Sequence, residues 1–149
     1  MSGPFFDTSA ALKLVVAEPL SARVQTYVAK CGDPVPFTRL IELEMETALQ
    51  ALFFRGEIDG LQLSAARALI VEMVNDGKFR RIDLSLDQIA SESLSLSALI
   101  TAKTGCRTLD LMHVSTAKLL RSSEFVSTDK RQLKAAEIAG LRAVDLSSA

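Results

Sequence analysis

The stretch FVSTDKRQLKAAEIAGLRAVDL, running from Phe125 to Leu146, decides the fold. Phe125-Val126-Ser127 is a short apolar run, Arg131 to Ala139 carries a helical pattern, Gly140 follows it, and Arg142 to Leu146 turns apolar again. Strand, helix and strand in this order form the unit of a parallel sheet. Gly140 suits a helix stop, because glycine enters the left-handed backbone region without steric cost.

The same alternation extends toward the N-terminus. Phe5-Phe6, Val35 to Phe37 and Phe79 to Leu84 are further strand candidates. Helical patterns cover Ser9 to Val16, Leu20 to Lys30, Arg39 to Arg55, Leu63 to Asn75, Leu86 to Lys103 and Leu109 to Arg121. Gly56, Gly60 and Gly77 punctuate the middle helices, and the serine-rich stretch from Ser91 to Ser97 keeps Leu94 and Leu96 in helical places. Nothing resembling a linker, repeat or low-complexity run divides the 149 residues. We therefore expect one α/β domain over residues 1–149, layered α/β/α and able to bury roughly 70% of its unfolded surface.

Composition narrows the setting. Cys31 and Cys106 lack metal-ligand spacing and read as buried thiols of a reducing, cytoplasmic protein. The opening Met1-Ser2-Gly3-Pro4 has no basic region leading into a long apolar core, so no secretion signal is expected. Although 48% of residues are hydrophobic, the apolar runs fall short of the roughly 18 residues that a membrane span needs. With 17 basic and 18 acidic side chains, net charge neither favours nor excludes a nucleic-acid partner. Aromatic content of 5% with no Trp weighs against a surface that reads single strands by stacking.

Four carboxylates stand where they help folding least. On the helix starting at Arg39, Leu40, Ala48 and Ala51 fall within about 40° of Glu44, whereas Glu42 and Glu46 point roughly 160° away. Glu44 thus faces the apolar side, where a carboxylate needs compensation. Asp110 shares a helix side with His113, Val114 and Ala117, although an Asp just after a Thr108 cap is also favoured by the helix dipole. Asp7 and Asp129 follow apolar runs and precede helices, which puts both at the carboxyl ends of strands, the ligand-binding edge of an open parallel sheet, and also suits helix caps. Four clustered anions repel each other unless neutralised, and hard oxygen donors suit Mg²⁺ or Mn²⁺ rather than zinc.

These residues sit in segments that resemble the PIN-domain ribonucleases, in particular the VapC toxins of bacterial toxin–antitoxin pairs. The matching stretches are Asp7-Thr8-Ser9-Ala10, Leu43 to Leu49, Arg107-Thr108-Leu109-Asp110-Leu111-Met112-His113-Val114, and Phe125 to Gln132 with Ala136 and Gly140-Leu141. Ser115 and Met45-Glu46-Thr47 depart from the usual pattern without touching a carboxylate. The resemblance implies a PIN-like fold with a five-stranded parallel sheet in order 3-2-1-4-5. It also implies a Mg²⁺-dependent endoribonuclease, Mn²⁺ substituting, that cleaves RNA with metal-activated water.

Asp7, Glu44, Asp110 and Asp129 would then be both the catalytic and the metal-binding residues, supported by Thr8, Ser9 and Thr128, whose hydroxyls also suit helix caps. Arg107, Lys130, Arg131 and Lys134 would meet the RNA backbone, solvated surface charge being the plainer reading. A metal-activated water needs no further base, so His113 has no required catalytic part. The implied partners are RNA, a VapB-like antitoxin and a second copy of the chain, with Leu14, Val15, Val16 and Leu49 to Phe54 as apolar surface or simply core.

Two other classes compete with this one. A haloacid-dehalogenase- or receiver-like phosphoryl-transfer protein would use Asp7 as nucleophile, but Ser9 occupies the second position of its Asp-x-Asp signature. A non-catalytic PIN-like binding module would be expected to have lost an acid.

Overall fold

The computed structural model describes residues 3–147. Five short strands and seven helices alternate: β1 Phe5–Phe6, α1 Thr8–Leu12, α2 Ser21–Cys31, β2 Val35–Phe37, α3 Arg39–Phe54, α4 Gly60–Asn75, β3 Phe79–Arg81, α5 Leu86–Thr104, α6 Thr108–Leu119, β4 Phe125–Ser127, α7 Lys130–Ile138 and β5 Ala143–Asp145. All strand pairing is parallel, as the β-α alternation requires.

The sheet departs from expectation. Instead of one five-stranded sheet in order 3-2-1-4-5, the strands hydrogen-bond as two ladders, β1-β4-β5 and β2-β3. β1 lies beside β2, yet no ladder joins them. Backbone direction explains the break. Phe5 and Asp7 donate to Glu124 and Val126 on the β4 side, while Val35 donates to Lys78 and the Phe37 carbonyl accepts from Ile82 on the β3 side. Alternate residues of a strand bond to opposite sides, so the β2 residue facing β1 is Pro36, which has no N–H to give.

Phenylalanines fasten each ladder from within. Phe5 stacks on its register partner Phe125 at 5.7 Å, and Phe37 stacks on Phe79 at 4.9 Å. All four are buried, as are Ile41, Met45 and Leu49 along one face of α3. Around the ladders, α5, α6 and α7 pack on one another and α7 on β4 and β5, while α3 packs on α4 and α4 on β3.

Several boundaries move. α1 spans Thr8–Leu12 rather than reaching Val16, because Lys13, Leu14 and Val15 continue in tighter turns with bonds to the third residue back, ahead of Pro19. α4 starts at Gly60, not Leu63: Asp59 caps it and Gln62 bonds back to the Asp59 N–H, a reciprocal capping box that outweighs the glycine. β3 stops at Arg81 since β2 ends at Phe37, where Thr38 caps α3 through the Ile41 N–H. α7 ends as expected, with Leu141 bonding to the Ala136 carbonyl, Gly140 to Glu137, and Gly140 at φ +88°.

Cys31 and Cys106 are unbridged, Cys106 buried. Among the described residues no helix is long and apolar enough to cross a membrane.

Candidate functional site

Asp7 links β1 to α1 and caps the helix. Its Oδ1 accepts from the Ala10 N–H at 3.0 Å and the Ser9 hydroxyl at 2.8 Å, and its Oδ2 from the Ser127 hydroxyl at 2.6 Å. The side chain is wholly buried, and this desolvation raises its pKa above the ordinary carboxylate value, outweighing the bonds from Ser127, Ala10 and Ser9. Ser127, also fully buried, accepts in turn from the Asp129 N–H at 2.8 Å. One hydroxyl at the end of β4 thus ties two of the acids together. Asp129 caps α7 through the Arg131 N–H at 2.9 Å, and Thr128 donates to Ser9 at 3.2 Å.

Ser127→Ala should therefore leave a buried Asp7 oxygen and the Asp129 N–H without partners. At 1–3 kcal/mol for each orphaned group the loss is about 3 kcal/mol, a fall of roughly 6–12 °C in a chain of this size, readable by calorimetry.

α3 supplies Glu44, and helical phase separates it from its neighbours as expected. Glu42 pairs with Arg39 at 2.6 Å and Arg81 at 3.0 Å, and Arg81 followed by burial's opposing effect sets its pKa below the usual range. Glu46 pairs with Arg67 at 3.2 Å and accepts from Gln50 at 3.0 Å. Glu44 turns the other way. Its Oε1 accepts from the Thr8 hydroxyl at 2.8 Å and lies in hydrogen-bond contact with His113 Nε2. Partial burial raises the Glu44 pKa, but the His113 and Thr8 bonds outweigh it and hold the carboxyl below its ordinary value.

Asp110 lies in the first turn of α6. Its Oδ2 accepts from the Arg107 N–H at 3.2 Å and its Oδ1 from Gln132 Nε2 at 3.0 Å. Thr108 is not the cap: Arg107 holds the capping position and Asp110 reaches back to its backbone from within the helix.

The expected residues thus fall into linked groups. Asp7, Ser9, Ser127, Thr128 and Asp129 form one; Glu44, Thr8 and His113 form another, joined to the first through the adjacent Thr8, while His113 stands one turn beyond Asp110. Sequence reasoning missed Ser127 and Gln132. A serine ending the apolar run Phe125-Val126 was a faint signal; Gln132 carried none, because only the packing of α7 against α6 brings it to Asp110.

The donor chemistry fits a hard divalent cation, since every acid offers only carboxylate oxygen. As the side chains stand, however, no three His, Cys, Asp or Glu among the described residues converge to hold a metal ion. Each carboxylate is engaged with neighbouring hydroxyls, amides or the His113 ring. The enclosure of Asp7, with both oxygens bonded, also weighs against its use as a phosphoryl-accepting nucleophile, which needs an open path.

Arg107, Lys130, Arg131 and Lys134 are exposed, with Lys130 paired to Asp145 at 3.5 Å and Lys134 to Glu137 at 3.9 Å. Beside Glu44 and Thr8 runs an apolar groove lined by Leu40, Leu43, Ala48, Ala51 and Leu109. Of the apolar stretches singled out in the sequence, Val15 and Leu49 are core, whereas Phe54 is 90% exposed.

Comparison with known proteins is informative only at the level of fold. No family model matches the sequence, and no curated protein sequence matches it significantly. Among solved structures, a chain of FitAcB from Neisseria gonorrhoeae superposes with a TM-score of 0.65 at 13% identity, covering 98% of this chain and 99% of that one. A chain of DNA-bound VapBC from Salmonella typhimurium superposes with a TM-score of 0.63 at 15% identity, again covering 98% and 99%. The chain shares the fold of these two proteins over almost its whole length.

Proposed function

We propose that this chain is a PIN-type endoribonuclease of the VapC kind, the toxin of a toxin–antitoxin pair, dependent on Mg²⁺ or Mn²⁺. The observation that carries the reading is Glu44. Of the three glutamates on α3, Glu42 and Glu46 pair with arginines while Glu44 bonds to Thr8, next to the buried Asp7, on the fold of proteins described as FitAcB and VapBC.

Asp7, Glu44, Asp110 and Asp129 are the residues to hold the cation, which when bound supplies charge neutralisation and an acidified water. The chain's own part is to hold these carboxylates. Ser9, Ser127 and the Ala10 N–H fix Asp7, and Gln132 with the Arg107 N–H fixes Asp110. Arg107, Lys130 and Arg131, exposed at the starts of α6 and α7, meet the RNA phosphates. The groove beside Glu44 receives an antitoxin segment, and the apolar surface serves a second copy of the chain.

Purified protein free of any antitoxin should cut mixed RNA in Mg²⁺ or Mn²⁺, stop in EDTA, resume when metal is restored, and bind RNA less tightly as salt rises. Cleavage that survives EDTA, or that persists in Asp110→Asn protein, would sink the reading.

A further inference from the structure

Of the cavities, charged clusters and apolar faces, one buried group stands outside the proposed chemistry yet touches it: His113, the only histidine in the chain. It is 1% exposed, sits on α6 against Phe5 with ring centroids 6.2 Å apart, and its Nε2 lies against Glu44 Oε1 and 3.3 Å from the Thr8 hydroxyl. Its other nitrogen, Nδ1, is buried with no hydrogen-bond partner among the described residues.

We infer that His113 is a positioning residue whose Nε2 N–H is donated to Glu44 Oε1, the oxygen that also accepts from the Thr8 hydroxyl. The direction follows from the partner: a carboxylate oxygen accepts, so Nε2 must donate. Both donors grip one oxygen, Oε1. The other, Oε2, takes neither bond and is the atom left to offer a ligand. Swinging Glu44 away would break two hydrogen bonds and strand the buried imidazole N–H, so the helix side chain is pinned in one rotamer. The role in metal binding rests on the function proposed above; the bond does not.

The test uses the full, tag-free chain. Because there is one histidine, its imidazole ¹⁵N spectrum is a single, unambiguous pattern. We expect Nε2 protonated, with its proton signal displaced in Glu44→Gln. Mn²⁺ binding is then measured by calorimetry for wild type, His113→Gln and His113→Asn, with melting temperature as the check on folding. A glutamine amide reaches the place of Nε2 and asparagine only that of Nδ1. His113→Asn should therefore bind Mn²⁺ about 10–100-fold more weakly, the usual loss when a ligand's supporting partner is removed, and His113→Gln should recover most of that. An Nε2 without a proton, or equal affinities for the two variants in folded protein, would overturn the inference. Wild-type protein that binds no Mn²⁺ would overturn the proposed function instead, while the spectrum still decides the bond to Glu44.

Discussion

Glu44→Gln should slow RNA cleavage by at least about a hundredfold, about 2.7 kcal/mol of lost transition-state stabilisation, whereas Glu42→Gln and Glu46→Gln should stay within a few fold of wild type. The contrast comes from direction along one helix. Glu42 and Glu46 end in ion pairs with Arg39, Arg81 and Arg67 on exposed surface, where such pairs contribute little. Glu44 carries its charge to Thr8 and His113. The amide in Glu44→Gln keeps the shape and one acceptor, so the fold should survive while the negative charge at the cleft is lost. The assay is single-turnover cleavage of a labelled RNA by the three variants side by side. Equal losses in all three would mean that the charge of α3 as a whole, and not Glu44, matters.

Asp7→Asn should separate activity from stability. Cleavage should be lost, yet the variant should gain stability relative to wild type as pH rises. The sign follows from burial, which raises the Asp7 pKa above its ordinary value of 3.8. Below that pH the carboxyl is protonated in both folded and unfolded chains. As pH rises past it, the unfolded chain releases its proton first while the folded chain still holds one, so stability falls until the folded group has ionised too. Asparagine has no such loss. In acid, Asp7→Asn should be the less stable protein by about 1–2 kcal/mol, since its amide meets the Ser127 hydroxyl less well than a carboxylic acid does. Toward neutral pH the gap should close or reverse. Glu44, whose lowered pKa stabilises the fold above its ordinary value of 4.5 and less as pH falls below it, is shared by both proteins and cancels in the difference. Denaturant titrations of the pair between pH 4 and 7 decide the matter: a constant gap would show that Asp7 folds at its ordinary pKa.

Much of this was legible in the sequence, for physical reasons that differ between elements. The β-α alternation located every strand, and the helical period singled out Glu44 before any fold was known, because both are local regularities of the backbone. The start of α4 at Gly60 rather than Leu63 has a local cause in the sequence: Asp59 and Gln62 have the spacing of a capping box, which outweighs the low helix propensity of Gly60. The split sheet lay hidden because it depends on which way Pro36 faces once β2 is bonded to β3. Gln132 was beyond reach and Ser127 only faintly marked, since their importance comes from partners 22 and 120 residues away. Of the four expected acids, Asp7 and Asp129 are tied together through Ser127, Glu44 is engaged by Thr8 and the His113 ring, and Asp110 by Gln132 and the Arg107 N–H, so each meets its own neighbours.

The proline that interrupts the sheet has a consequence for timing. Glu44 rides on the helix that leaves the β2–β3 ladder, and Asp7 and Asp129 follow strands of the β1–β4–β5 ladder. Where the two halves meet at Pro36, no rungs hold them, and side-chain packing with the Thr8–Glu44–His113 bonds bridges the gap. The acids are thus mounted on two plates joined by a clasp, and the clasp is made of the site itself. If the site takes the cation proposed for it, amide exchange along α3 should slow on its addition, since any pull on the carboxylates also holds the two plates together.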